Sequence, residues 1–352
     1  MPQFRCERRG TILVLASIML TACSGLGANP ADFSSSAPSR IASGARPWTS
    51  TRFDDAPTDF SFAVVTDLES GYRPGVFDVA VAELGLLHPA FTLTVGDMIE
   101  GGTEDVAKLE REWTAFDALL QGLHAPFFHV PGNHDLTNLA QRGVWEKRYG
   151  RRYYAFVYKN VLFLAIDTED YPAAKMNAIY EERAKFLDAR KKDPAAAAKL
   201  PYASLPESRS GEISPEQSAY FEKAIAEHPK VRWTMLLMHK PGYERTDELG
   251  LGRIERALQG RAYTVLNGHL HRYAYAERDG RDYVMLGTTG GERAFDGSDG
   301  AMDHVMWVRM TKDGPSIANL RLDGVLDKTG HVPAGGERLC LSHGGPLCPA
   351  PH

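Results

Sequence analysis

The chain is 352 residues long, with 40 Lys and Arg against 45 Asp and Glu and a formal net charge of −5. That balance argues against non-specific nucleic-acid binding, which depends on neutralising backbone phosphates with Lys and Arg. Compact sequence runs from near Asp59 to about Val325 with no internal repeat or second linker, so one domain with one sizeable core is expected over residues 57–325.

The first residues read as a targeting segment. Arg5, Arg8 and Arg9 make a basic start, and Thr11 to Leu20 make an apolar stretch that ends in Leu20-Thr21-Ala22-Cys23. This is a secretory signal over residues 1–22, too short for a spanning helix, which needs roughly 20 apolar residues. Its Leu-x-x-Cys ending resembles a bacterial lipoprotein cleavage box. The resemblance implies that Cys23 becomes a lipidated first residue and anchors the protein to a membrane. Ser24 in the next position resembles lipoproteins sorted to the outer membrane, so the periplasmic side of the cell envelope is the expected location. Ordinary secretion is the alternative. Removal of residues 1–22 takes away three arginines and Glu7 and moves the formal charge from −5 to −7. Residues 23–56, rich in Ser, Ala, Pro and Gly, are expected to form a flexible tether.

Of the four cysteines, Cys6 leaves with the signal and Cys23 is consumed by lipid. In an oxidising compartment Cys340 and Cys348 are expected to pair. So short a loop contributes only about 2–3 kcal/mol in the chain-entropy view. The bridge would pin a C-terminal tail, residues 326–352. A zinc pair is the alternative, but C-x-x-C spacing is absent.

Strands and helices alternate along the domain. Phe60 to Val65 is an apolar run typical of a strand buried on both faces. Arg73 to Leu87 reads as a helix with Pro74 in its first turn, and Phe91 to Val95 as a strand. Val106, Leu109, Trp113, Phe116 and Leu120 recur at helical steps. Phe127 to Val130 is a strand, followed by a helical stretch around Val144 to Tyr149. Tyr153–Tyr158 and Val161–Ile166 flank a turn at Lys159-Asn160. Residues 168–212 hold a charged helical segment (Asn177 to Lys192), an alanine run and a proline-rich stretch, and read as an insertion, either a lid or a solvated excursion. Ser214-Pro215-Glu216-Gln217 is a capping box opening a helix to about Glu227. Then come the strand Trp233–Met238, a helix near Arg253–Leu258 and the strand Tyr263–Leu266. Two hairpins follow, turning at Asp279-Gly280 and Asp313-Gly314. The pattern implies an α/β sandwich with mixed sheets.

Five segments carry the chemistry: Thr66-Asp67-Leu68-Glu69, Gly96-Asp97-Met98-Ile99-Glu100, Gly132-Asn133-His134-Asp135, Met238-His239-Lys240-Pro241 and Gly268-His269-Leu270-His271. Each follows an apolar strand-like run. Ligands in open α/β folds bind beyond the carboxyl ends of strands, so all five would gather along one edge. In order and chemistry they resemble the calcineurin-like metallophosphoesterase superfamily. That resemblance implies a four-layer α/β/β/α sandwich with two mixed β-sheets. It also implies two divalent metal ions (Mn, Fe, Zn or Mg) and hydrolysis of a phosphomonoester or phosphodiester by in-line attack of a metal-bridging hydroxide. A phosphate-ester substrate is the implied partner.

Carried over residue by residue, the resemblance makes Asp97 the bridging ligand. Asp67 and His271 complete one metal site, and Asn133, His239 and His269 the other. His134 becomes the general acid, with a carboxylate at Glu100 as its partner. Position 69 departs from the family, which usually has Asp-x-His there. Glu69 replaces the histidine as an oxygen ligand favouring harder ions, or the first site is weak, or catalysis is lost. In the last case the protein is a non-catalytic envelope lipoprotein that binds a phosphorylated ligand. Arg73, just past the first loop, is a candidate substrate-binding residue. Tyr243 and Arg245 are weaker candidates, the loop Thr288-Thr289-Gly290-Gly291 is expected to border the site, and His129 reads as a core histidine.

The anchor has a direct test. Cys23→Ala is expected to leave unprocessed precursor, whereas the wild-type chain should fractionate with membranes. Wholly soluble, normally cleaved wild-type protein would sink the expectation.

Overall fold

The computed structural model describes residues 56–245, 250–293 and 300–341. The signal segment, nearly all of the tether and Cys348 lie outside these residues.

Eleven strands form two sheets among the described residues. The first has the order β11 (Gly314–Arg321), β10 (His304–Thr311), β1 (Phe60–Val65), β2 (Thr92–Thr94), β3 (Phe127–Phe128). The second has the order β4 (Tyr154–Tyr158), β5 (Val161–Ala165), β6 (Trp233–Leu237), β7 (Tyr263–Asn267), β9 (Arg281–Met285), β8 (Ala274–Arg278). In each, a parallel centre (β1–β2–β3 and β5–β6–β7–β9) is joined to antiparallel strands, so both sheets are mixed.

Side-chain alternation explains the layers. On β1, Phe60, Phe62 and Val64 enter the core between the sheets, while Ala63 and Val65 face the other way. On β5, Val161, Phe163 and Ala165 point into that same inner core, and Leu162 and Leu164 point outward. The outward face of the first sheet is covered by α1 (Val76–Leu87), α2 (Val106–Leu119) and α3 (Leu139–Tyr149). That of the second is covered by α8 (Pro215–Glu227) and α9 (Leu251–Ala257). The result is the four-layer α/β/β/α sandwich. None of the described helices is long and apolar enough to cross a membrane.

The segment 168–212 folds as α4 (Ala173–Lys192) and three short helices, α5 (Pro194–Ala197), α6 (Pro201–Ser204) and α7 (Pro206–Ser210). Its two ends meet in a parallel bridge between Glu169 and Glu212.

Several local expectations shift. The first helix begins at Val76, three residues late, because Gly75 sits at φ 86 and breaks the helical path after Pro74. The last hairpin turns at Lys312-Asp313, and Gly314 already pairs with Thr311. The capping box holds: the Ser214 side chain accepts from the Gln217 amide. Residues 326–341 are no loose tail. A 3₁₀ segment, Pro333–Arg338, brings Val332 and Leu341 into the core cluster that contains α1. Cys340 is disulfide-bonded.

His129 sits in an aromatic cage, stacked on Tyr149 at 4.2 Å, and burial pushes its imidazole down to about 4. It is a neutral core residue. Glu83 is a second unusual core group. It is fully buried on α1, neither carboxyl oxygen has a partner, and burial beside Asp323 pushes its carboxyl up to about 9 from 4.5. The folded state therefore keeps a proton that the unfolded chain releases, so stability is present below about pH 4.5 and is lost as pH rises toward about 9. Thermal unfolding across that window is expected to show Glu83→Gln with a shallower decline than wild type and a higher midpoint at the alkaline end. Parallel curves would contradict the assignment.

Candidate metal centre and active site

The five chemistry-bearing segments do meet at one end of the sandwich. Asp67 follows β1, Asp97 follows β2, His239 follows β6, and His269 and His271 follow β7. Asp67, Asp97, His269 and His271 all have left-handed backbone, with φ of 50, 61, 80 and 52°. Non-glycine residues held there cost on the order of 1–3 kcal/mol each and cluster where function over-determines the backbone. Close approach adds a second constraint. A methyl group on Gly132 would overlap the Asp97 carboxylate, and one on Gly268 would overlap Thr66 and the Asp67 carboxylate.

The Asp97 loop is fixed by Asp135. This buried carboxylate accepts from the amides of Asp97 (2.9 Å), Met98 (3.0 Å), Ile99 (3.3 Å) and Gly132 (2.8 Å). Asp97 then directs Oδ1 to the His134 amide (2.8 Å) and Oδ2 to His239 Nε2 (3.0 Å). The other nitrogen of His239, Nδ1, lies 2.8 Å from the Val95 carbonyl, which sets the ring so that Nε2 faces Asp97. His269 is held in the same way, with Nε2 donating to the Ser208 carbonyl at 3.0 Å. His271 Nδ1 bonds the Glu292 carbonyl and leaves Nε2 3.2 Å from Asp67 Oδ1. Thr66 braces Asp67, and the Thr288–Gly291 loop braces Thr66 and Asp67 in turn through backbone bonds.

Do these residues fit metal ions? Ligand atoms of Asp97, His239 and His269 lie within 4.8 Å of one another. Asn133 Oδ1 is buried with no hydrogen-bond partner, as an amide oxygen reserved for a cation would be. Electrostatics agree. Burial opposes charge on Asp97, yet His239 and His134 hold its carboxyl well below the usual range. Burial lowers His239 and His271, but Asp97 and Asp67 respectively push them up to about 9. Protons thus occupy positions where the carboxylates call for positive charge, and metal binding would release them. Oxygen and imidazole donors of this kind suit divalent ions.

Other predicted residues fall differently. Glu69 is half-buried, outside the converging trio. Burial and the neighbouring Glu100, Glu112, Asp135 and Asp97 push its carboxyl up to about 8. His134 is buried, and its Nδ1 lies 2.8 Å from Glu100, but the contact is to the main-chain carbonyl. Glu100 itself is exposed, and the two glycines after it, Gly101 and Gly102, have left-handed backbone. Arg73 is not free to meet a substrate. It pairs with both oxygens of buried Asp303 and with the Gly291 carbonyl, so its role is to lock the Gly290–Gly291 loop. Tyr243 bonds Asn267 (3.0 Å) and Arg245 bonds the Gly211 carbonyl (2.5 Å), both as structural ties.

Three residues escaped sequence reasoning. Lys240 is 1% exposed, and its ammonium is 2.6 Å from Glu169 Oε1 and 2.9 Å from the Glu207 carbonyl, tying the insertion to the His239 loop. Arg183, from α4, donates to His134 Nε2 at 3.1 Å, so the proton on that ring sits at Nδ1. Arg293 is 7% exposed beside the site. A signal was present for Arg183: with Phe186, Leu187 and Arg190 it forms an i, i+3, i+4, i+7 stripe. All four line a cavity of about 760 Å³ that also contains Asp97, Asn133, His134, His269 and His271. The insertion thus forms one wall of this cavity.

A family model described as calcineurin-like phosphoesterase matches residues 60–273. No curated protein matches the chain in sequence. Among solved structures, a dimetal phosphatase from Danio rerio is similar at 13% identity and a TM-score of 0.50, covering 74% of this chain and 98% of its own. The purple acid phosphatase PPD1 from yellow lupin (Lupinus luteus) is similar at 13% identity and a TM-score of 0.49, covering 76% of this chain and 52% of its own.

Proposed function

The chain belongs to the calcineurin-like phosphoesterase family, and from that premise we propose how its own residues divide the work of phosphoester hydrolysis. It is a metal-dependent hydrolase of phosphate esters that uses two divalent ions. The proposal assigns Asp67, Glu69 and His271 to one ion, Asn133, His239 and His269 to the other, and Asp97 to both. One observation carries it: the buried, partnerless Asn133 Oδ1 beside the converging Asp97, His239 and His269. The bound ions supply an activated water and neutralise charge on the phosphoryl oxygens.

The chain's own groups do the rest. Asp97 is held by the loop that Asp135 fixes, so its carboxylate stays placed without reorganisation. His134 lines the cavity and is oriented by the Glu100 carbonyl, which suits it to transfer a proton to the departing oxygen. Glu69 holds a carboxyl without a cationic neighbour among its electrostatic partners, and a divalent ion would supply one. Lipid anchorage at Cys23 completes the proposal of an envelope-facing hydrolase, supported by the Leu20–Cys23 sequence.

His134→Asn is expected to keep metal and to lose rate by about 10²–10⁴-fold on alkyl esters, with a smaller loss on aryl esters, whose leaving groups need little protonation. Loss of metal in this variant would show that His134 had been given the wrong role. Glu69→Ala should lower metal content toward one ion per chain with a strong loss of rate, and Glu69→His should restore binding with a changed metal preference. Equal metal content and rate in Glu69→Ala and wild type, by elemental analysis and kinetics, would remove Glu69 from the ligand set.

A further inference from the structure

Helix α4 is an odd helix for a folded domain. Of its twenty residues only Met176 and Arg183 are buried, and Arg183 is 8% exposed. A guanidinium out of water needs compensation worth several kcal/mol. Among the described residues Arg183 has no carboxylate within ion-pair distance, and its one polar contact is the neutral ring of His134 at 3.1 Å. Its other arm lies against Gly102. Arg293, across the same cavity, is also under-compensated, although its Nη2 donates to Cys340 Sγ at 3.6 Å. Its Nε and Nη1 are buried without hydrogen-bond partners, and its nearest carboxylate, Asp303 at 3.9 Å, is already engaged by Arg73. Two buried arginines, one with two partnerless donors and one whose polar contact is a neutral ring, therefore flank the proposed metal ligands, and arginine forks suit phosphoryl oxygens.

The rest of the lid face is apolar. Phe186 and Leu187 lie between Arg183 and Arg190 on the α4 stripe, and Phe186 packs against Tyr202 with ring centroids 5.3 Å apart. These side chains are half-buried, join none of the hydrophobic core clusters, and line the cavity. Seven residues of helix span about 10 Å, enough to roof an aromatic-sized group beside the phosphoryl position.

We propose that the insertion is a leaving-group subsite. Arg183 and Arg293 grip the phosphoryl group, and Phe186, Leu187 and Tyr202 hold a flat, apolar leaving group, so the substrate class is aryl-like phosphate esters. The inference rests on the phosphoesterase reading above. On substrate entry Arg183 exchanges His134 for phosphoryl oxygens, which frees His134 Nε2, with Nδ1–H still on the Glu100 carbonyl, to take up a proton from solvent and pass it to the leaving oxygen.

Calorimetric titration of the metal-loaded full chain with phenylphosphonate and methylphosphonate, neither of which is hydrolysed, tests this directly. Wild type should bind the phenyl compound about ten-fold more tightly or better. Phe186→Ala and Tyr202→Ala should lose that preference and keep methylphosphonate affinity. Arg183→Ala should weaken both ligands alike, with partial recovery in Arg183→Lys, and Arg293→Ala should do the same. Equal wild-type affinities, or a phenyl preference untouched in Phe186→Ala and Tyr202→Ala, would overturn the subsite. If wild type still hydrolyses phosphate esters in that case, the phosphoesterase reading survives. Absence of both hydrolysis and phosphonate binding would overturn the two together.

Discussion

Everything at the catalytic edge depends on one buried carboxylate that touches no substrate. Asp135 gathers four backbone amides, three from the Asp97 loop and one from Gly132. Four donors converge on its two oxygens, and these bonds join the loops that follow β2 and β3. With those loops fixed, Asp97 can face His239 with one oxygen and the His134 amide with the other. Of the four left-handed residues at the site, Asp97 is held by this bracing, and Asp67, His269 and His271 by their bonds to the Gly291 amide, the Ser208 carbonyl and the Glu292 carbonyl. Without it, the backbone would relax away from the geometry that the putting together of two ions requires.

The lid is fastened by the same physics on a larger scale. At its base Arg152 bridges Asp167 and Asp170, Lys240 meets Glu169, and Gln217 bonds both the Asp167 backbone and the Asp170 carboxylate. Buried pairs of this kind add little net stability over apolar packing, but removing one partner is severe, since it strands a charge out of water. Such a network therefore specifies position more than it stabilises. It places the Ser208 carbonyl on His269 and the Arg183 guanidinium on His134, so the lid takes part in orienting the centre it covers.

The sheets and the insertion divide the site between them. The two sheets and their strand-end loops supply the phosphoryl chemistry. The segment that leaves the fold after Asp167 and returns at Glu212 supplies the cavity wall opposite. In the proposed reading, chemistry and selectivity sit on separate stretches of chain, so the second can change while the first is kept.

How much of this was legible in the sequence follows from the range of the forces involved. Strand alternation, the Ser214 capping box and the glycine-bearing segments at strand ends are short-range features, and they predicted the sandwich and the gathering of Asp67, Asp97, Asn133, His239, His269 and His271. The insertion's boundaries were visible as a break in composition. What the tertiary structure alone decided was pairing across long separations. Arg73 looked like a substrate residue until Asp303, 230 positions away, was found to hold it. The resemblance pairs His134 with the Glu100 carboxylate, but in the fold its Nδ1 meets the Glu100 main-chain carbonyl instead. Arg183 lay unremarked in the charged segment Asn177 to Lys192, and only the folded insertion buries it against His134. A sequence states which side chains can carry charge. Which of those charges lose their water, and which partner then compensates them, is fixed only when distant segments pack.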